Sequence, residues 1–375
     1  MRKRNKHSFL VFLISLFIFI EVGHAQKEVD SLLAQANKQI YENPDEAINL
    51  ATQAYNVEDI SVGNKVNALL SISTAYSSKR DYAMASVYIE KIIAEFPNLK
   101  NSRQQMNILN RVAAHYQELQ IYDKAIEYLD EALVLIENYP AQDSLQPLLG
   151  YNATMRGFIY REQMNCDIAL TYFNQAIEYF KNTLQPHVRN ANLSICYYNK
   201  GNCLLALDKK IEAKASFLSS IEYAKNAEAK SLVAFGQKGL AEASTLEGNY
   251  EEAISILQNA TSNAESVGDL ILNKGLYEGL SNNYLALHDW DNYTLFHDKY
   301  LGLQNQTKTA ERKSVNQSLL NLTETKAKEI SEVGNYYRPI QISLVILIVI
   351  ALFILARLVF FEEKKLKELQ KTLKE

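Results

Sequence analysis

A small residue, a bulky one four positions on and a small or medium one three further recur in register along most of the chain. The sets are Ala85, Ile89, Ile92; Ala125, Leu129, Ala132; Ala169, Phe173, Ala176; Ala213, Phe217, Ser220; and Ala253, Leu257, Ala260. The leading alanine returns at intervals of 40, 44, 44 and 40 residues. A weaker first copy begins at Ala47, and a last one reads Tyr293, His297, Tyr300. Spacings of three and four place each set on one face of a helix. The small residue lets a paired helix approach, and the bulky one fills the groove beside it. Three positions before each leading residue stand Tyr82, Tyr122, Cys166, Lys210, Tyr250 and Trp290; six further back, a preceding helix often ends in tyrosine, at Tyr76, Tyr116, Tyr160 and Tyr284. Short polar links such as Ser77 to Asp81 and Glu247 to Asn249 supply the turns. The unit is a helical hairpin that cannot cover its own apolar face, so about seven of them must stack. Only 13 Gly and 6 Pro in 375 residues agree with this, since a sheet-rich chain needs more turn residues.

Fragments such as GFIYREQMNCDIALTYFNQAIEYF and AEASTLEGNYEEAISILQNA resemble the tetratricopeptide repeat (TPR). That unit carries a Leu/Gly pair and a Tyr in its first helix, then Ala, Phe/Tyr and Ala in its second. The resemblance covers roughly residues 29–302. It departs from the family in its 40–44-residue units, in a terminal proline mostly missing outside Pro97, and in degenerate end copies. It implies an all-α fold, a TPR-like right-handed α-solenoid over residues 26–302. It also implies a groove walled by the first helix of each hairpin, where it places Asn107, Asn110, Gln117, Tyr151, Arg161, Tyr198, Asn202, Lys238, Glu242 and Asn282. These amides and aromatics suit hydrogen bonding to an extended peptide backbone. Each also reads as the solvated side of an amphipathic helix. The Lys/Asn/Lys/Arg set of chaperone-tail-binding TPRs does not recur.

Two apolar runs set the address. The start, MRKRNKHSFLVFLISLFIFIEVGHAQ, has a basic head, a 12-residue apolar stretch from Phe9 to Ile20 and small residues before Gln26. This is the layout of a signal peptide over residues 1–25. At about 18 Å the run is short for a span, although an uncleaved anchor is the alternative. The second run, residues 340–361, reaches about 33 Å as a helix and holds no acidic side chain. Tyr336, Tyr337 and Arg338 precede it as interfacial anchors, and Arg357 near its end can snorkel. Five lysines follow it, against Lys326, Lys328 and Arg338 before it, which favours a cytoplasmic tail at 362–375. Residues 26–339 are then periplasmic, on a bacterial inner membrane crossed once.

The layout resembles the extracytoplasmic sensor half of membrane-bound TPR regulators and sensor kinases of Bacteroidetes-type bacteria, without the output domain. Leu366, Leu369 and Leu373 give the tail an amphipathic stripe, like the start of a signalling helix. Between array and span, the polar stretch 303–339 carries a broken stripe of Val315, Leu319, Leu322, Ile330 and Val333, with Lys326 on it. Two readings stand: a stalk that pairs in a homodimer, or a helix folded back on the array.

The chain holds no phosphate-binding loop, HExxH, GxSxG or dinucleotide fingerprint. His288, Asp289, Asp291, His297 and Asp298 crowd the last repeat, but their helical positions do not bring three to one point. No catalytic residue, metal or cofactor is expected. A net charge of −4, with +3 on residues 1–25 and +2 on 340–375, leaves −9 on the middle. That is no footprint for nucleic acid. Cys196 and Cys203 lie about 10.5 Å apart along one helix, beyond disulfide reach, while a bridge from Cys166 to either stays open because export permits it. The expectation is a non-catalytic scaffold or sensor for a protein or peptide partner. The alternative is a component that passes a periplasmic state to a separate kinase or regulator.

Overall fold

The computed structural model describes residues 26–40, 43–58, 60–264 and 269–372. The signal peptide expected at 1–25 lies outside them. Fourteen α-helices follow one another with no strand among the described residues. The first, α1, covers 26–39. Then come α2 (Pro44–Tyr55), α3 (Val62–Ser78), α4 (Tyr82–Glu95), α5 (Ser102–Glu118), α6 (Tyr122–Glu137) and α7 (Gln146–Glu162). After these come α8 (Cys166–Lys181), α9 (Pro186–Ala206), α10 (Lys210–Asn226), α11 (Lys230–Leu246), α12 (Tyr250–Ala264), α13 (Leu270–Ala286) and α14 (Trp290–Thr372). From α2 to α13 each packs on the next in sequence, and the odd-numbered helices α5, α7, α9, α11 and α13 also touch in succession. The result is the expected TPR-like solenoid of seven hairpins.

One turn is used six times within hairpins. Arg80, Gln120, Met164, Asp208, Gly248 and His288 all take positive φ, between 57° and 83°. Each sits five residues before the leading residue of its repeat. The residue after it sends its N–H back to a carbonyl near the end of the first helix: Asp81 to Tyr76, Ile121 to Tyr116, Asn165 to Tyr160, Lys209 to Leu204, Asn249 to Ser244 and Asp289 to Tyr284. This is the Schellman closure, which satisfies carbonyls the ending helix leaves free. Where that residue is Asp81, Asn165 or Asp289, its side chain also accepts an N–H from the first turn of the second helix.

The tyrosine ending the first helix has a partner twelve residues on. Tyr76 stacks on Tyr88, Tyr116 on Tyr128, Tyr160 on Tyr172 and Tyr284 on Phe296, with centroids 5.4–5.6 Å apart. The leading alanines, from Ala85 to Ala253, are wholly buried. The degenerate last copy, Tyr293, His297 and Tyr300, is only half-buried, as befits the end of a stack.

The chain divides into two compact units at Ser318. In the first, α14 begins as the second helix of hairpin 7 and runs on. Beyond that hairpin Thr307, Ser314 and Ser318 are buried, and the Ala83 N–H at the start of α4 donates to Ser314 Oγ at 2.9 Å. Ala83 is a first-turn donor without a partner inside its own helix. Ser314 thus completes the cap of α4 from 231 residues away, so residues up to 318 lie folded on the array. The second unit, from Leu319, is the continuation of the same helix. It has Pro339 inside it, and residues 340–361 expose every side chain. This helix is long and apolar enough to cross a membrane.

Candidate functional site

The odd-numbered helices carry the expected wall, and the structure sorts its residues into three groups. Tyr151 lies under the Arg111 guanidinium, 4.7 Å from centroid to Cζ, and its hydroxyl accepts from Arg111 Nη1 at 3.3 Å. Arg161 donates to Asn199 Oδ1 of the next hairpin, pairs with Glu162 at 2.5 Å and stacks over Phe158. Tyr198 packs on Phe217 and Phe235. Beside Tyr198, Lys238 pairs with Glu242 at 3.7 Å. Burial would lower the Lys238 pKa, but Tyr198, Glu242 and Glu278 together raise it, so the ammonium is held charged. Glu278 in turn hydrogen-bonds Tyr300, whose pKa is raised by burial first and by that carboxylate second. Arg111–Tyr151, Arg161–Asn199 and Tyr198–Lys238–Glu278–Tyr300 therefore tie neighbouring hairpins across one helix face.

Asn110 forms the second group alone. It is wholly buried: its Nδ2 donates to Leu148 O and its Oδ1 accepts from Asn152 Nδ2. Both halves of the amide are used inside the protein. Asn152 also donates to Leu129 O, and Arg156, nine-tenths buried, donates to Asn152 Oδ1 and pairs with Asp130 at 2.5 Å. This polar core at the junction of hairpins 3 and 4 escapes the sequence pattern, because its members take their partners from different repeats.

The third group is open. Gln117 and Asn202 are half-buried, and Asn282 is exposed. Asn107 lines a polar cavity of about 730 Å³ at the N-terminal ends of α3, α5, α7 and α9, together with Asn67, Arg103, Gln104, Gln146 and Asn182. Among the described residues no carboxylate lines it. Gln104 already reaches Gly63 O and Asn67 Oδ1, and Arg103 donates to Ser144 O. Sequence reading missed Arg103 and Gln104, although an amide in the first turns of successive odd helices was there to be seen. A second pocket of about 170 Å³ is walled by Ile195, Tyr198, Asn199, Leu232 and Phe235. It sets an apolar niche beside the Arg161–Asn199 contact.

Other titratable groups are buried for packing. His115 bonds Ser86 through Nε2 at 2.9 Å, and burial pushes its pKa down to about 4. Glu118 is raised by burial, against Ser77, Arg80 and Arg111, which lower it. The three cysteines are free thiols. His288 sits at the left-handed turn position, and His297 stacks on Tyr293. Among the described residues no group of three His, Cys, Asp or Glu could hold a metal ion.

Comparison with known proteins agrees with the fold. A tetratricopeptide-repeat family model matches residues 195–226, from α9 into α10. No curated protein sequence matches the chain. Among solved structures, NprR in complex with its cognate peptide NprX is similar at 16% identity over 86% of this chain and 98% of that one, with a TM-score of 0.54. The Rap conjugation gene regulator of the plasmid pLS20, in complex with the Phr* peptide, is similar at 15% identity over 74% of each chain, TM-score 0.57. The apo form of RapI is similar at 14% identity over 76% of this chain and 99% of that one, TM-score 0.51. The chain thus carries a TPR-like helical repeat scaffold.

Proposed function

We propose that the array is a non-catalytic scaffold that holds a peptide or an extended protein segment along the odd-helix face, in the periplasm, and that residues 340–361 anchor it in the inner membrane. The observation that carries this is the run of charged, amide and aromatic groups from Arg111 to Glu278 on successive odd helices, flanked by an amide-lined cavity and an apolar niche. Amides can serve both the N–H and C=O of an extended backbone, and aromatics accept its side chains. Two of the similar solenoids were solved with peptides bound, NprX and Phr*. The full run of exposed apolar side chains at 340–361 supports the anchor. The test is to purify the full-length protein from cells in detergent, release bound material with acid and identify it by mass spectrometry. Recurrent peptides that a Tyr151→Ala, Tyr198→Ala double variant loses are expected; equal recovery from both proteins contradicts the reading.

The second reading, transfer of that state to a separate kinase or regulator, is favoured by one observation. A single helix, α14, runs from the last hairpin to Thr372, with Leu366 and Leu369 exposed on its tail. Removing residues 366–375 should then abolish a downstream response while leaving peptide recovery intact. An unaffected response would leave the tail as an anchor only.

A further inference from the structure

Cys166 opens α8, and Cys203 lies in α9, one helical turn past Asn199. Both belong to the cluster built on Ala169 and Phe173, and their side chains hydrogen-bond one another. Cys203 is wholly buried, while Cys166 keeps part of its surface in solvent. Cys196 is separate: it packs in another cluster, with the Thr154 hydroxyl 3.3 Å from its sulfur, and burial pushes its thiol up to about 12. Sequence spacing left two pairings open, Cys166 with Cys196 or with Cys203. The fold brings one accessible thiol against one buried thiol and keeps the third apart.

We propose that Cys166 and Cys203 are a dithiol pair that closes to an intramolecular disulfide when the array meets a disulfide oxidant, pinning hairpin 4 to hairpin 5 beside the Arg161–Asn199 contact. The oxidant is glutathione disulfide or the disulfide of a thiol oxidase. The Cys166 sulfur, as thiolate, attacks one sulfur of that disulfide and releases the first thiol. The Cys203 sulfur then gives up its proton and attacks the Cys166 sulfur of the mixed disulfide, releasing the second. Two electrons pass from the pair to the oxidant, and the two protons end on the released thiols. The order follows from access, since Cys166 is the one a second molecule can reach. Burial, followed by the Cys166 neighbour, holds the Cys203 thiol above its ordinary pKa, and the Arg161 guanidinium opposes this. The inference rests on the periplasmic reading only for where the oxidant is met.

The test counts thiols in the full-length protein in detergent, after glutathione disulfide treatment and denaturation in an alkylating reagent. Three alkylated cysteines before oxidation should fall to one, Cys196, and a tryptic species joining Cys166 to Cys203 should appear. Cys166→Ser and Cys203→Ser should each abolish that species and keep Cys196 free. Three thiols still alkylated, a stable glutathione adduct on Cys166 alone, or a bridge to Cys196 or between chains would overturn the pair. Trapping thiols in intact cells separates the two ideas. A bridge that forms in the purified protein but is absent in cells counts against periplasmic exposure and leaves the pair standing.

Discussion

Hairpins 4 and 5 fill the space between their helices differently from hairpins 2, 3 and 6. In hairpins 4 and 5 the bulky position is Phe173 and Phe217, and sixteen residues before each, on the facing helix, stands Gly157 or Gly201. A Cβ added at Gly157 or Gly201 would sit 2.5 Å from the Phe173 or Phe217 ring. In hairpins 2, 3 and 6 the bulky residue is Ile89, Leu129 or Leu257, and its counterpart is Ser73, Ala113 or Ala241. Volume removed from one helix reappears on the other, so close packing is conserved by pair while neither position alone is fixed. The repeat therefore specifies a summed volume and not a residue.

The widest break in that comparison is Phe217→Ala. The ring lies against both Gly201 and Gly239, so its loss should cost about 3–5 kcal/mol, read as a fall in urea midpoint. Leu257→Ala should cost less, about 2–4 kcal/mol, because this buried side chain is smaller than phenylalanine.

Acid should strain the leucine side of the comparison next, through His115 of hairpin 3. Its folded pKa of about 4 lies below the ordinary 6.5, so between those values the unfolded chain binds the extra proton. Stability is complete above pH 6.5 and declines as pH falls toward 4, by on the order of 3 kcal/mol. His115→Asn should flatten that slope in unfolding followed from pH 7 to 4; an unchanged slope would assign the acid loss elsewhere.

Gly201→Ala sharpens the comparison by asking for one methyl too many. About 1–3 kcal/mol of destabilisation is expected. Adding Phe217→Leu should recover part of it, so that the double variant loses less than the two singles together. Strict additivity in that cycle would contradict volume sharing.

Much of this was legible before any coordinates. Ala85 to Ala253 mark the buried register because a 3–4 spacing has one structural meaning on a helix. The stacking partners Tyr88, Tyr128, Tyr172 and Phe296 were equally present in the sequence, but three past the leading residue they read as generic helix surface. Asn110 looked like a groove residue because the TPR resemblance places it on the wall, whereas its real partners, Leu148 O and Asn152, belong to the next hairpin. The Ser314–Ala83 contact has no periodic signature at all, since periodicity reports neighbours within a repeat and not a helix returning to hairpin 2.

Two smaller effects test the parts that join hairpins. Ser314→Ala should cost about 1 kcal/mol and speed amide exchange at Ala83, while Met84, capped by Asp81, stays protected. Ser314→Thr should restore Ala83. At the shared turn, Met164 holds φ 59° and is 90% exposed, whereas Gly248 meets the same need without a side chain. Met164→Gly should therefore stabilise hairpin 4 by about 0.5–1 kcal/mol, and Gly248→Ala should lose about as much from hairpin 6. A shift of the same sign in thermal midpoint for both would break the shared-turn account.

The most direct measurement of ligand holding on the odd-helix face is photo-crosslinking in cells from two positions of the full-length chain. One reporter replaces Tyr198 on α9, at the apolar niche, and the other replaces Leu218, exposed on α10. Discrete crosslinked species from position 198 and none from position 218 are predicted; the same species from both, or from position 218 alone, would contradict it.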